Sequence, residues 1–293
     1  AKERGVELAV GFNLRHVPVL AKIKQLIDNN EIGNLMLLEN REFYDGGRTY
    51  MARWNRRYEW SGGLWVHKGS HDFDIFNWWN SSGNPIRVSA FAGLNALRQE
   101  SIPFDVDEGK SVGPGCTLCE YKDQCPDYEH SLQYPELFDS STAEYDSYTR
   151  DLCIYTSDKD THDNGIAIVE YDNNVRASHL ECFICNFTDR LYTVVGDKGT
   201  IIARLNNPTV VELRPRWGSE DRIIHVPVRI EGGHGGSDPL LVDNFIKSIM
   251  LNTSTSSTTR DGLRSVVVGE AAELSWRQHR TVEISELIDI NCV

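Results

Sequence analysis

The 293-residue sequence lacks several features that would assign it to a common class of protein. It has no excess of positive charge: 43 acidic against 30 basic residues give a formal net charge of −13. Such a chain repels polyphosphate, which argues against a nucleic-acid partner or an anionic membrane surface. No apolar run approaches the roughly 18 residues of a membrane span, and no signal-peptide pattern opens the sequence. These absences predict a cytoplasmic protein without a membrane or nucleic-acid partner.

Three catalytic motifs are also missing. The sequence contains no Gly-x-Ser-x-Gly elbow and no His-Glu-x2-His, so neither a serine hydrolase of that type nor a zincin is supported. It contains no Gly-x-Gly-x-x-Gly turn after a strand, the arrangement by which a Rossmann domain binds dinucleotide phosphates. Hydrophobic residues make up 40% and charged residues 25%, which is typical of a folded globular protein.

The seven cysteines are an odd number, which favours a reducing compartment. Cys116-x2-Cys119-x5-Cys125 lies in an irregular, polar segment at about 98–150, long enough to count as an insertion. Thiolates at such spacing bind zinc when a fourth ligand is supplied from elsewhere, and Cys153 is the candidate. The alternative is three ordinary thiols in a surface loop. Metal analysis of the purified protein separates the two.

Repeated strand and turn patterns predict an α+β fold. Hairpins turn at Asp172-Asn173-Asn174 and at Gly196-Asp197-Lys198-Gly199, and successive hairpins indicate an open, largely antiparallel mixed sheet. Helical periodicity after Pro18, over 64–79, after Pro239 and before Trp276 predicts helices that cover one face of it. The other face needs covering too, which predicts a homodimer or homotetramer.

The densest chemical signal is the segment from Ser61 to Asp74. On one continuous helix, His67, Lys68 and His71 would share a face, and Asp74 would lie one turn beyond His71. A histidine beside a lysine and a carboxylate suits proton transfer near neutral pH. The alternatives are an ordinary surface helix and a metal site formed by the two histidines with a nearby aspartate.

The order Val10-Gly11-Phe12-Asn13-Leu14-Arg15, then Ser61-Gly62-Gly63, then Gly69-Ser70-His71-Asp72-Phe73-Asp74 resembles the Gfo/Idh/MocA oxidoreductases. The resemblance extends over nearly the whole chain. It implies a C-terminal α/β substrate-binding and oligomerisation domain over 16–293. Residues 1–15 would be the last helix end and strand of a Rossmann domain, so that the chain is expected to be a fragment or a truncated relative.

The resemblance also implies roles for individual residues. His71 and Asp74 match the histidine and trailing aspartate of the family's motif, whereas His67 stands where the family carries an aspartate, and Lys68 follows it. Asn13 and Arg15 match a strand-end motif near the cofactor. Aromatic and arginine side chains are expected to contact a polar substrate, and they are Tyr44, Arg53, Trp54 and Tyr58.

The implied activity is hydride transfer between NAD or NADP and the hydroxyl of a sugar or cyclitol. The cofactor would be bound mainly by residues outside this chain. Two other functions remain open at this point: a glycosidase of the same fold that uses NAD, and a non-catalytic binding or oligomerisation module.

Overall fold

A computed structural model describes residues 2–6, 8–128, 149, 151–205, 210–218, 220–227 and 233–289. Much of the predicted insertion, residues 129–148 and 150, therefore lies outside the described residues, as does Cys292. No described helix is long and apolar enough to cross a membrane.

The described strands form one nine-stranded sheet in the order β8-β7-β6-β5-β1-β4-β3-β2-β9. The pair β1–β4 is parallel and the other pairs are antiparallel, so the prediction of an open, largely antiparallel mixed sheet is confirmed. The strands are β1 Leu35–Asp45, β2 Pro85–Gly93, β3 Asn164–Tyr171, β4 Arg176–Cys182, β5 Ile184–Gly196, β6 Gly199–Arg204, β7 Val210–Pro215, β8 Arg222–His225 and β9 Val282–Glu283.

Both predicted hairpin turns form. Asn174 adopts a left-handed φ of 64° between β3 and β4, which asparagine tolerates better than most residues. Between β5 and β6, Asp197 accepts hydrogen bonds from the backbone and the side chain of Asn34, which ties this turn to the start of β1. The turn is thereby held against the end of the first helix.

Seven α-helices are described: α1 Pro18–Asp28, α2 Gly47–Met51, α3 Tyr58–Ser61, α4 Leu64–His67, α5 Ser70–Trp79, α6 Gly233–Leu251 and α7 Thr259–Gln278. Thr258 caps α7 through a reciprocal capping box with Asp261. In α6, residues 234–236 have left-handed φ angles, so the regular helix begins at Ser237, close to the predicted start at Pro239.

The main hydrophobic core lies between the sheet and α1, α5 and α7. Alternate residues of the central strands point into it, for example Ala167 and Val169 of β3, while Ile166 and Ile168 of the same strand are about half exposed on the opposite face. A second core, around Met51, Leu64 and Phe183, lies under the cysteine-bearing segment. One sheet face is thus covered by helices, and the other carries exposed apolar side chains.

The start of the chain differs from the predicted helix end and strand. Residues 2–4 form a 3₁₀ turn, and the strand is reduced to a single bridge between Ala9 and Thr258. Val10 adds a backbone hydrogen bond to Ser257. The segment therefore packs beside the N-terminus of α7. Its assignment to a Rossmann domain stays a prediction.

Candidate active site

A cavity of about 260 Å³ opens on the helix side of the sheet, between β1, β5 and the turn that precedes α6. Apolar residues such as Leu14 and Val17 form one side of it. Its charged and aromatic polar side chains are Glu42, Tyr44, Lys68, Asp189, Arg190 and His234. A concave site with few, convergent polar groups is the usual form of a small-molecule site.

Three charged side chains meet at the inner end of this cavity. Lys68 Nζ lies 3.2 Å and Arg190 Nη2 2.7 Å from the same oxygen, Oε1 of Glu42. Burial raises the pKa of Glu42, while Arg190 and Lys68 lower it. Because Lys68 and Arg190 lie beside the Glu42 carboxylate, the inner end of the cavity offers both donors and an acceptor to a hydroxylated ligand.

The sheet register places these groups. Glu42 of β1 lies directly opposite Arg190 of β5, and Asn40 lies opposite Tyr192. All four side chains are directed toward α5, where Asp72 accepts hydrogen bonds from Arg190 Nε at 3.0 Å, from the Tyr192 hydroxyl at 3.3 Å and from Asn40. Although burial raises the pKa of Asp72, Arg190, His179 and Lys68 lower it to about 2.

Two buried histidines, His162 and His179, contact a third buried carboxylate, that of Glu181. Glu181 accepts hydrogen bonds from both His162 and His179, the latter at 3.1 Å. Burial lowers the pKa of His179, but Glu181 and Asp72 outweigh it and raise the pKa. Ligand atoms of Glu42, His179 and Glu181 lie within 4.8 Å of one another. Each is already engaged by a cation or an imidazole, so ion pairing accounts for the group without a metal.

His71 lies in the first turn of α5, beside the cavity. Its ring meets Phe12 edge-on at 5.7 Å, and its Nδ1 has no hydrogen-bond partner among the described residues. Burial lowers the pKa of His71 to about 4, which Lys68 and Arg190 reinforce and Asp72 opposes. The imidazole is consequently neutral at pH 7, with a lone pair on one nitrogen that can accept a proton. His71 adjoins the cavity without lining it.

The expectation of one helix over 64–79 is wrong. Helix α4 ends at His67 and α5 begins at Ser70, so Lys68 and Gly69 separate them. A side chain at Gly69 would come within 2.8 Å of the Trp65 carbonyl oxygen, which explains why glycine occupies the break. His67 therefore does not share a face with His71.

His67 instead belongs to an aromatic group. It contacts Trp54 edge-on at 5.0 Å and Tyr50 at 6.1 Å. Burial lowers the pKa of His67, and Lys68 lowers it further. Lys68 itself reaches the cavity, with Nζ 5.1 Å from the ring centre of Tyr44.

Asp74 points away from His71. It receives two hydrogen bonds from the guanidinium of Arg15, at 2.8 and 2.6 Å, and both side chains are almost fully buried. Burial raises the pKa of Asp74 to about 6, against the effect of Arg15. Arg15 also binds Asp261 at 3.2 Å, and Asn13 donates to Asp238 at 3.0 Å. Asp74, Arg15 and Asn13 thus join α5, α6 and α7.

The four residues that were expected to contact a substrate lie in different parts of the structure. Tyr44 lines the cavity. Trp54 is 43% exposed beside His67. Tyr58 donates to Glu270 at 2.9 Å and lies under the guanidinium of Arg277, so it binds α7. Arg53 precedes a 3₁₀ turn and is not among the residues that line the cavity.

Glu42 and Arg190 were not predicted from the sequence as site residues. A signal existed in β1, where Leu38, Asn40 and Glu42 alternate with less buried residues. Two polar residues at buried positions of a strand indicate a functional site inside the fold. Only the pairing with β5 reveals that Arg190 supplies the opposite charge.

The sheet covered on one face by helices, with a polar cavity beside α5, forms an α/β domain. The sequence match agrees: the oxidoreductase family, C-terminal alpha/beta domain (Gfo/Idh/MocA), matches residues 24–284. The chain belongs to the Gfo/Idh/MocA oxidoreductase family.

Among proteins of known sequence, YteT of Bacillus subtilis, an oxidoreductase by name, is 30% identical over 320 residues, covering 100% of this chain and 72% of YteT. Levoglucosan dehydrogenase in complex with NADH and L-sorbose has a similar fold, with a TM-score of 0.66, 14% identity, and coverage of 95% of this chain and 66% of that one. An oxidoreductase from Agrobacterium radiobacter, in complex with NAD+, L-tartaric acid and magnesium, has a TM-score of 0.64, 15% identity, and coverage of 98% and 68%.

A third structure, an oxidoreductase from Thermotoga maritima, has a TM-score of 0.62 and 15% identity, and covers 96% of this chain. The chain spans 64–68% of the lengths of these three solved proteins. At such identities the likeness establishes the fold.

Proposed function

We propose that this chain is the substrate-binding part of an NAD-dependent oxidoreductase that acts on a hydroxyl group of a sugar or cyclitol. The observation that carries the proposal is the cavity in which Lys68, Glu42 and Arg190 converge beside the neutral His71. A polyol offers several hydroxyls that both donate and accept, which matches adjacent cations and a carboxylate.

In this proposal each side chain has a separate task. Lys68 and Arg190 donate hydrogen bonds to substrate oxygens, and Glu42 accepts one from a hydroxyl. Tyr44 covers an apolar face of the ring. His71 accepts the hydroxyl proton at an imidazole nitrogen as the carbonyl forms, and Asp72 holds Arg190 in position.

The described residues do not form a site for the dinucleotide. The glycine-rich turn is absent from the sequence, and the two expected cofactor contacts, Asn13 and Arg15, bind Asp238 and Asp74 instead. We therefore propose that NAD or NADP is bound mainly by residues outside this chain. When bound, the nicotinamide would supply the hydride acceptor.

Ligand binding by the chain itself tests whether the cavity is a site for a polyol. Saturation-transfer NMR with a panel of cyclitols and monosaccharides should detect binding that Lys68→Met weakens at least about tenfold, because a charge-assisted hydrogen bond is lost. Lys22→Met is the matched control, since Lys22 donates to Gln25 on the exposed side of α1, away from the cavity. Equal binding by both variants would contradict the assignment of the cavity.

An activity assay tests whether the enzyme oxidises a polyol with NAD. In the enzyme that carries this chain together with an NAD-binding domain, polyol-dependent formation of NADH is expected. Cleavage of nitrophenyl glycosides without net NADH would identify the NAD-using glycosidase instead. Neither reaction, together with no ligand in the binding panel, would identify a non-catalytic module.

The exposed sheet face supports a homodimer or homotetramer. It carries Phe91, which is 78% exposed, with Ile166, Ile168 and Phe187 at about half. An apolar face of this kind is typical of an interface between subunits. Light scattering of the purified chain should give at least twice the 33.2 kDa subunit mass, and Ile168→Glu should lower it.

A further inference from the structure

A short antiparallel contact brings together the two segments that carry Cys116 and Cys153. Gly115 and Leu152 form an isolated bridge, the backbone N–H of Cys116 donates to Asp151 at 2.6 Å, and that of Cys153 donates to Pro114 at 2.8 Å. In an antiparallel pair, the positions on either side of a bridge point to its opposite face. Cys116 and Cys153 therefore project from the same side.

Tight turns bring Cys119 and Cys125 back toward the side from which Cys116 and Cys153 project. The N–H of Cys119 donates to the Cys116 carbonyl at 3.4 Å, and the N–H of Cys125 donates to Tyr121 at 3.0 Å. The Asp151 carboxylate accepts from the backbone N–H of Thr117 at 3.1 Å, which fixes the first turn to the opposite segment. Cys125 packs against the second hydrophobic core, to which Cys153 belongs.

Burial and charge distinguish these thiols from ordinary surface cysteines. Cys116, Cys119 and Cys153 are each 7–8% exposed although the segment has little regular structure. Nη2 of Arg48 donates to Cys116 Sγ at 3.5 Å.

We propose that Cys116, Cys119, Cys125 and Cys153 bind one structural zinc ion. Four thiolates are the donor set that zinc prefers in closed structural sites, and a Cys-x2-Cys turn is a common part of them. Zinc–sulfur bonds of about 2.3 Å place the sulfurs of a tetrahedral site about 3.8 Å apart. No three of the four sulfurs lie within 4.8 Å of one another in the described structure, so a bound zinc ion would require other side-chain rotamers at these cysteines.

The site would stabilise a part of the molecule that has little other support. The segments it joins flank the second hydrophobic core, to which Cys153 and Tyr155 contribute directly. Tyr44, which lines the cavity, packs against that core. A metal that closes this segment therefore fixes one wall of the candidate active site without taking part in the chemistry.

Metal analysis of the purified chain tests the proposal. We expect about one equivalent of zinc in the parent protein, prepared under reducing conditions without chelator and reconstituted with zinc alone. The variant C119S should retain less than about a tenth of an equivalent. The matched control is C185S, because Cys185 is half-buried at the start of β5, outside the cluster.

Cobalt substitution keeps the test decisive if C119S does not fold. Co²⁺ added to the parent protein should give a thiolate charge-transfer band and the visible spectrum of a tetrahedral site, and zinc should displace it. Less than a tenth of an equivalent of zinc after reconstitution would overturn the proposal. So would iron with acid-labile sulfide, an octahedral cobalt spectrum, or equal loss of metal from C119S and C185S.

Discussion

Asp72 and Arg190 are 118 residues apart in sequence, yet Nε of the guanidinium lies 3.0 Å from the carboxylate. One comes from α5 and the other from β5, so the ion pair joins the helix layer to the sheet directly under the candidate active site. Glu42 lies opposite Arg190 in the sheet and shares the same guanidinium. The position of the cavity's charges therefore depends on this pair.

Replacing Asp72 by asparagine should destabilise the protein by about 3–5 kcal/mol near pH 7, because Arg190 is left buried with less compensation. Urea unfolding of the parent and the variant measures the difference. A loss below about 1 kcal/mol would show that Glu42 alone balances Arg190.

The same pair predicts how stability depends on acid. The pKa of Asp72 is lowered from 3.8 to about 2 in the folded state, so its stabilisation is complete above about pH 4 and is lost as the pH falls toward 2. The shift corresponds to about 2 kcal/mol. Asp72→Asn should therefore show a smaller decrease in unfolding free energy between pH 4 and pH 2 than the parent does.

His71 should titrate far below an ordinary histidine. Its pKa of about 4 predicts an imidazole NMR titration whose midpoint is near pH 4. His71→Ala in the NAD-binding enzyme should lower turnover by about 10²- to 10⁴-fold, with a smaller effect on substrate binding, because a proton acceptor is lost. A midpoint near 6.5, or an unchanged rate, would remove His71 from the proposed chemistry.

Asp74→Asn should destabilise the fold by about 3–5 kcal/mol, since it leaves the Arg15 guanidinium buried without its bidentate partner. The double variant Arg15→Met/Asp74→Leu should recover most of that loss. The exposed pair of Arg280 and Glu286 is the control: Glu286→Gln should cost less than about 1 kcal/mol. Similar losses at the buried and the exposed pair would contradict the structural role of Asp74.

Gly269 permits the close approach of α7 to α4. A Cβ at this position would lie 2.6 Å from the Trp65 carbonyl oxygen. Gly269→Ala should lower the unfolding free energy by about 1–3 kcal/mol, although alanine favours a helix by about 1 kcal/mol over glycine. Gly11→Ala is the control, because the nearest atom to its Cβ would be Leu241 Cδ2 at 3.8 Å. Thermal melts of both variants compare the two positions.

The parts of the fold that depend on neighbouring residues could be predicted from the sequence. The hairpin turn at Asp172-Asn173-Asn174 formed as expected, and the helix predicted to start at Pro239 begins close by at Ser237, because both depend on local backbone preferences. The break after His67 was missed because both halves keep a helical pattern, and only the proximity of Gly69 to Trp65 interrupts it.

Side-chain roles were harder to predict, because they depend on which strands pair. Lys68 and Tyr44 were predicted as site residues, and both line the cavity. Tyr58 was expected there as well, but its hydroxyl binds Glu270 of α7. Hydrophobic pattern predicts that a tyrosine is partly buried, and it carries no information about a partner 212 residues away.

The two-residue interruption between α4 and α5 has a consequence for substitutions at position 67. On a continuous helix, a substitution at position 67 would alter the surroundings of position 71 one turn later. Here His67 contacts Trp54, whereas His71 contacts Phe12. A substitution at position 67 can therefore change the aromatic group around Trp54 and leave the contact between His71 and Phe12 unchanged.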